Sequence, residues 1–215
     1  MFRNRSRLYR FYLLLEYTIL FAGLPTVCAL GFCPIHPILA LWMFSVVCLI
    51  ILIFDKQFKV SHLWWVNNWK DLAKVIIRFS LAAIVLGCYV IVFEPDLLLS
   101  FPRNHNILWA MVMIIYPIYS VLPQGIIHRA FLFHRYRVLF QGWLMIVASA
   151  AAFSYMHIVF KNPLAMLLTL AGGILFAKTY KDTDSLVISL IEHALYGNFV
   201  FTIGLGRYLY LGAVG

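Results

Sequence analysis

The chain has 215 residues, of which 64% are hydrophobic and only 12% charged, with a mean hydropathy of +0.91. So few charges over this length exclude an ordinary water-soluble domain, and the surrounding medium is largely lipid. The formal net charge of +9 raises the question of nucleic acid, but the placement of the charges gives it little weight.

A bilayer core takes about 20 apolar residues per helix, and the chain supplies roughly seven such stretches. The expected fold is all-α: a polytopic transmembrane bundle of about seven spans with a broken fourth span and the N-terminus in the cytoplasm. One structural domain is expected. Residues 1–106 hold spans 1 to 3 and an interfacial segment, and residues 107–215 hold the core helices that carry the motifs described below.

In chain order, span 1 covers about 8–30. An Arg-rich start followed by "LYRFYLLLEYTILFAGL" mimics a signal peptide, yet Glu16 interrupts the apolar region and no small-x-small cleavage site follows. It is read as a retained first helix. Span 2 covers about 36–54. The segment "DKQFKVSHLWWVNNWKDLAK" mixes Trp with Lys, as suits a stretch lying at the membrane interface. Span 3 covers about 75–93, and the outward loop "EPDLLLSFPRNHN" carries Glu94 and Asp96. Span 4 starts near 107 and meets Pro117 and Pro123, each of which removes a backbone donor, so a break is expected near Pro123. Span 5 covers about 143–160, span 6 about 163–177 and span 7 about 186–205. Pro163 directly after Asn162 is a helix start.

Basic residues fall in four groups: Arg3 to Arg10, Lys56 to Arg78, Arg129 to Arg137, and Lys178 with Lys181. These hold 14 of the 17 Lys and Arg residues, each group at every second boundary between spans. That is the positive-inside pattern, with some attraction to anionic lipid heads. Cys28, Cys33, Cys48 and Cys88 show no CxxC spacing and are read as small buried hydrophobes.

Ionisable groups in hydrocarbon are costly and are functional candidates by default. The acids within apolar runs are Glu16 and Glu192. The bases are His128 and Arg129 in span 4, His157 in span 5 and His193 in span 7, with Gln124 and Asn198 adding amides. Plainer readings stand beside each. A lone intramembrane His is more often an interhelical hydrogen-bonder, Glu16 pairs with a neighbouring base or snorkels, and Arg129 is a topological anchor like Arg135 and Arg137. The combination of three helices, each bringing a His or Arg in a distinctive local setting, favours function.

Three local patterns stand in order on the later spans: "QGIIHR" (124–129), "FSYMH" (153–157) and "HALYGN" (193–198). Together they make residues 107–206 similar to the CAAX protease and bacteriocin-processing family of intramembrane proteases, whose motifs are Glu-Glu-x-x-x-Arg, Phe-x-x-x-His and His-x-x-x-Asn. The resemblance implies an endopeptidase acting on membrane-associated or lipidated substrates. One Glu and the His157 position would activate water, and the His193 and Asn198 positions would stabilise the oxyanion. Such chemistry needs a base working near ambient pH and fixed donors for the developing charge. Gln124, Glu192, His157, His193 and Asn198 are therefore the candidate catalytic residues, with Arg129, Phe153, His128 and Gly125 supporting them. The implied partners are the bilayer and a membrane-associated peptide or protein, and the implied location is a bacterial inner membrane. The resemblance fixes no cofactor. His128, His157 and His193 are candidates for a divalent metal, but the non-metal reading is preferred because no HExxH or comparable local pair is present.

The chain departs from the family pattern at both acids, which map onto Gln124 and Gly125. Residues four apart share a helix face, so Arg129 loses its local partner. Asn198 follows His193 by five residues, not four; both groups face one cavity only if the helix widens locally, as a π-bulge allows. Glu192 is the substitute acid, expected either to pair with Arg129 or to act as base. A working peptidase with a displaced base, a pseudoprotease that binds without cutting, and an unrelated small transporter or structural membrane protein whose polar residues only join helices are the three functions to be separated.

Overall fold

The computed structural model describes residues 7–66 and 68–209; Arg3 and Arg5 of the first basic group lie outside them. Six helices are long and apolar enough to cross a membrane: α1 (Arg7–Ala29), α2 (Pro37–Phe54), α3 (Trp69–Phe93), α4 (Asn106–Arg135), α5 (Trp143–Phe160) and α6 (Pro163–Thr183). A shorter apolar helix, α7 (Leu186–Thr202), follows, and no strand occurs among the described residues. The protein is an integral, multi-pass membrane protein.

Short polar signals set the helix ends. His36 Nδ1 accepts from Ile38 N, Asn68 Oδ1 from Lys70 N, Asn162 Oδ1 from Leu164 N and Ala165 N, and Ser185 Oγ from Ile188 N. Each satisfies donors that a helix start leaves unpaired. Pro163 sits in the first turn of α6 as its position after Asn162 suggests. Lys161 and Asp184 take left-handed conformations at the turns before and after α6.

Burial separates the helices into two groups. Half of the α5 window is buried, 39% of α6 and 33% of α4, against 17%, 17% and 11% for α1, α2 and α3. The C-terminal helices thus form the interior, and the first three present most of their surface outward, where lipid tails satisfy apolar side chains as well as protein does. α5 and α6 pack most closely of all. Gly173 lies against the Ala150 backbone and the Phe153 ring, so the two backbones approach through small residues and Phe153 is pressed into the bundle.

The interruption expected in the fourth span takes a particular form. α4 does not come apart at Pro123; it runs on as one helical rod with two π-type turns, Pro117–Val121 and Ile126–Phe131, on either side of Leu122–Gly125. The extra residue per turn accommodates the lost donors of the prolines without ending the helix. It also means that the i, i+4 rule used to align 124 and 125 with 128 and 129 does not hold strictly here.

The ends of the helices that carry basic residues are gathered by ion pairs. Glu16 on α1 accepts two hydrogen bonds from Arg135 at the end of α4 (Nε 2.9 Å, Nη2 2.7 Å) and one from the Tyr136 hydroxyl (3.0 Å). Asp55, just past α2, pairs with His134 Nε2 at 2.8 Å, and Arg137 donates to the His134 carbonyl and to Gln57. Glu16 therefore has the partner-base role expected of it. Of the cysteines, only Cys48 is buried; Cys28 and Cys33 are half-buried and Cys88 is exposed. The sequence reading overestimated their burial because an apolar span can face lipid as readily as protein.

Candidate active site

Phe153, on α5, is the centre around which the candidate residues assemble. Its ring meets His128 at 5.4 Å, His157 at 4.9 Å and His193 at 5.2 Å between centroids, each edge to face. The Arg129 guanidinium carbon lies over the same ring at 4.5 Å and over Phe176 of α6 at 5.2 Å. α4, α5 and α7 therefore bring the three motif patterns to one place, and α6 supplies a fourth wall that no motif announced.

The histidines are held in different ways. His157 Nδ1 donates to the Phe153 carbonyl at 2.7 Å, which leaves the Nε2 lone pair of the neutral ring free. His128 Nδ1 donates to the Gln124 carbonyl at 3.0 Å and is buried, with Phe21 of α1 on its other side. His193 stacks on Phe176 at 4.6 Å, and its Nε2 is joined to the Tyr116 hydroxyl at 3.2 Å. Each bond selects a tautomer or an orientation, which is how a protein fixes what an imidazole can do.

Tyr116 was invisible as a site residue in the sequence. It reaches His193 because position 197 is Gly: any Cβ there would run into the Tyr116 ring. Gly197 thus serves close approach of α4 to α7. α7 is a regular α-helix throughout, so the five-residue step does turn Asn198 away from His193, by about 140°. Asn198 Nδ2 instead donates to the Met113 carbonyl on α4 at 3.1 Å. Asn198 does not join His193 in one donor pair; Tyr116 occupies the place beside that ring.

Glu192 is also placed differently from expectation. Its side chain is fully buried, and its carboxylate lies 3.0 Å from Arg78 Nη2 on α3, an ion pair in which neither carboxylate oxygen accepts a hydrogen bond; Arg78 Nη2 donates instead to Thr179 Oγ1 at 2.6 Å. Glu192 pairs with neither Arg129 nor a histidine. The sequence did hold a signal for this: Arg78 stands within the apolar run of α3, but grouping it with the topological bases concealed it. Thr179 and Phe176 on α6 were missed because neither type is exceptional in a span.

Arg129 is left in an unusual state. It is 1% exposed, and Nε, Nη1 and Nη2 all lack a hydrogen-bond partner. Cation–π contacts of about 0.5–2 kcal/mol each offset only part of a desolvation cost of several kcal/mol. Nearby, Gln124 donates to Ser120 Oγ at 3.1 Å, while its Oε1 and His193 Nδ1 are buried without partners. Where the second family acid would stand, Gly125 is in helical conformation, and its Cβ position is filled by the Leu190 and Leu186 side chains of α7. The space of the missing acid is closed by leucine.

As for a metal, no group of three or more His, Cys, Asp or Glu side chains arranged to hold an ion occurs among the described residues. Each of the three histidines that the sequence offered packs its ring against Phe153.

Residues 103–199 match the family model described as Rce1-like, type II CAAX prenyl endopeptidase, and the match contains all three motif patterns. Neither a curated protein nor a solved structure matches the chain. Over residues 103–199, somewhat less than half of the chain, the sequence is thus similar to the Rce1-like family.

Proposed function

We propose that the protein is a CAAX-protease-like intramembrane protein that takes a membrane-associated or lipidated peptide to the Phe153 site and whose carboxylate-dependent hydrolysis is impaired. One observation carries this reading. The chain has eight acids, and the single one in the core of the second half, Glu192, is fully buried against Arg78. Activation of water in the family's manner needs a carboxylate beside the His157 position, and here that place holds Gln124 and leucine-covered Gly125. Retention of Phe153, His157, His193 and Arg129 around one centre supports a site that still accepts a ligand. The basic helix ends support a cytoplasmic N-terminus, and a bacterial inner membrane is the proposed location.

A second reading has its own observation. The free Nε2 of His157 is a base in the neutral ring, and Tyr116 beside His193 is a donor for a developing oxyanion. In that case slow hydrolysis proceeds with His157 taking the proton of the attacking water, without a carboxylate. Photo-crosslinking tests the shared part of both readings. A membrane-anchored peptide carrying a photoreactive residue is expected to label α5 or α7, with labelling lost in Phe153→Trp, whose larger ring fills the centre. Labelling confined to lipid-facing residues of α1 to α3 would sink both.

A further inference from the structure

Two guanidiniums and one carboxylate lie together within the helices around the site. Arg78 holds Glu192 in direct contact. Among the described residues no carboxylate lies within ion-pair distance of Arg129, all three of its nitrogens lack hydrogen-bond partners, and it is almost wholly buried. Glu192 acts on this charge only from beyond contact distance, so the guanidinium has no anion in contact. The rings of Phe153 and Phe176 attract the cation but offer no oxygen to its N–H groups. A guanidinium is a planar fork of donors matched to a carboxylate, which it binds through two parallel hydrogen bonds.

We propose that Arg129 receives the terminal α-carboxylate of the bound peptide, so that the ligand brings the contacting anion that no described residue supplies. The inference rests on the peptide-accepting reading above and names the chemistry by which the peptide is recognised. A chain end fits better than an acidic side chain in mid-peptide, because a terminus reaches a guanidinium only 1% exposed without a strand having to continue beyond it. A free carboxylate carried among membrane helices is itself costly unless paired, so the two charges compensate each other. Gln124, with one unpartnered buried oxygen on the same helix, is placed to accept from a peptide N–H close to that end.

The test uses full-length protein in detergent or nanodiscs, with N-acetyl-trileucine and its C-terminal amide as probes and sodium acetate as competitor. Binding is read by thermal shift and by displacement of a fluorescent acid-ended peptide, not by turnover, so the presence or absence of hydrolysis does not enter. The acid is expected to bind at least about tenfold more tightly than the amide. In Arg129→Gln the preference collapses, read as the ratio of acid to amide affinity within that variant. The acid–amide comparison is made on the native protein and stands if the variant fails to fold. Equal affinity of acid and amide, or binding of neither, overturns the proposal. Acetate displacing the labelled peptide as well as N-acetyl-trileucine does, mole for mole, would place a free anion at Arg129 and overturn it too. Photo-crosslinking at α5 or α7 by acid and amide alike, with no preference, would keep the peptide site and reject only the carboxylate receptor.

Discussion

Removing Arg78 isolates the Glu192 carboxylate and therefore tests the electrostatic arrangement under the site. Glu192 is 0% exposed on its side chain, whereas Arg78 is 31% exposed, so the two partners are not equivalent. In Arg78→Met the carboxylate loses its only contacting cation in a place water does not reach. Breaking a buried pair by deleting one member costs about 3–5 kcal/mol, and the partial exposure of Arg78 brings the expected loss toward the lower end, about 3 kcal/mol. Arg78→Met also removes the bond to Thr179, worth about 1 kcal/mol. Replacing both partners, as Arg78→Met with Glu192→Leu, leaves no orphaned charge in this pair and is expected to restore much of the loss. The assay is reversible unfolding in mixed micelles, run as a double-mutant cycle with Arg78→Met, Glu192→Leu and the pair. A coupling of at least about 1.5 kcal/mol supports the arrangement, and additivity within about 0.5 kcal/mol refutes it.

Other consequences follow from the same geometry. Gly197→Ala drives a methyl group into the Tyr116 ring and is expected to lower stability by about 1–3 kcal/mol, whereas Tyr116→Phe loses only the bond to His193, about 1 kcal/mol; thermal unfolding of the two variants checks the order. Gly125→Glu alone meets Leu190 and is expected to express poorly, and Leu190→Ala in the same chain should recover folding, as read by monodisperse yield. Asp55 lies outside the spans, and its hydrogen bond from His134 holds the carboxyl below its ordinary value of 3.8. A depressed carboxyl contributes stability that is full above its unfolded value and is lost as pH falls through the folded one. The melting temperature of the native protein should therefore drop more steeply below that value than in Asp55→Asn.

Much of the fold was legible because hydropathy and charge act locally. The seven apolar stretches, six of them long helices and the seventh the shorter α7, and the helix start at Asn162 and Pro163 follow from the chemistry of neighbouring residues. The assembly of Phe153, His157, His193 and Arg129 followed from the resemblance. The partners of polar side chains across helices did not. Arg78 and Glu192 are 114 positions apart, and Tyr116 meets His193 across 77; no periodicity in one helix encodes which face of another it will meet. Glu192 was expected to join Arg129 because a buried Arg without a partner is costly, but the helix rotation gives Glu192 to Arg78 and leaves the cost in place. The π-turns of α4 were hidden for a related reason. The prolines announce a disturbance, but whether the helix ends or widens depends on the packing of α2 and α7 against it.

The most direct test of the central claim is cleavage in proteoliposomes, with lipidated and unlipidated peptide libraries. The native protein would be run beside His157→Ala and beside the combined Gln124→Glu, Gly125→Glu, Leu190→Ala variant. The account predicts no cleavage by the native protein above the His157→Ala background, and cleavage by the variant in which the acids and their space have been restored. Cleavage by the native protein that disappears in His157→Ala would contradict it, and would make His157 the working base of a carboxylate-free protease.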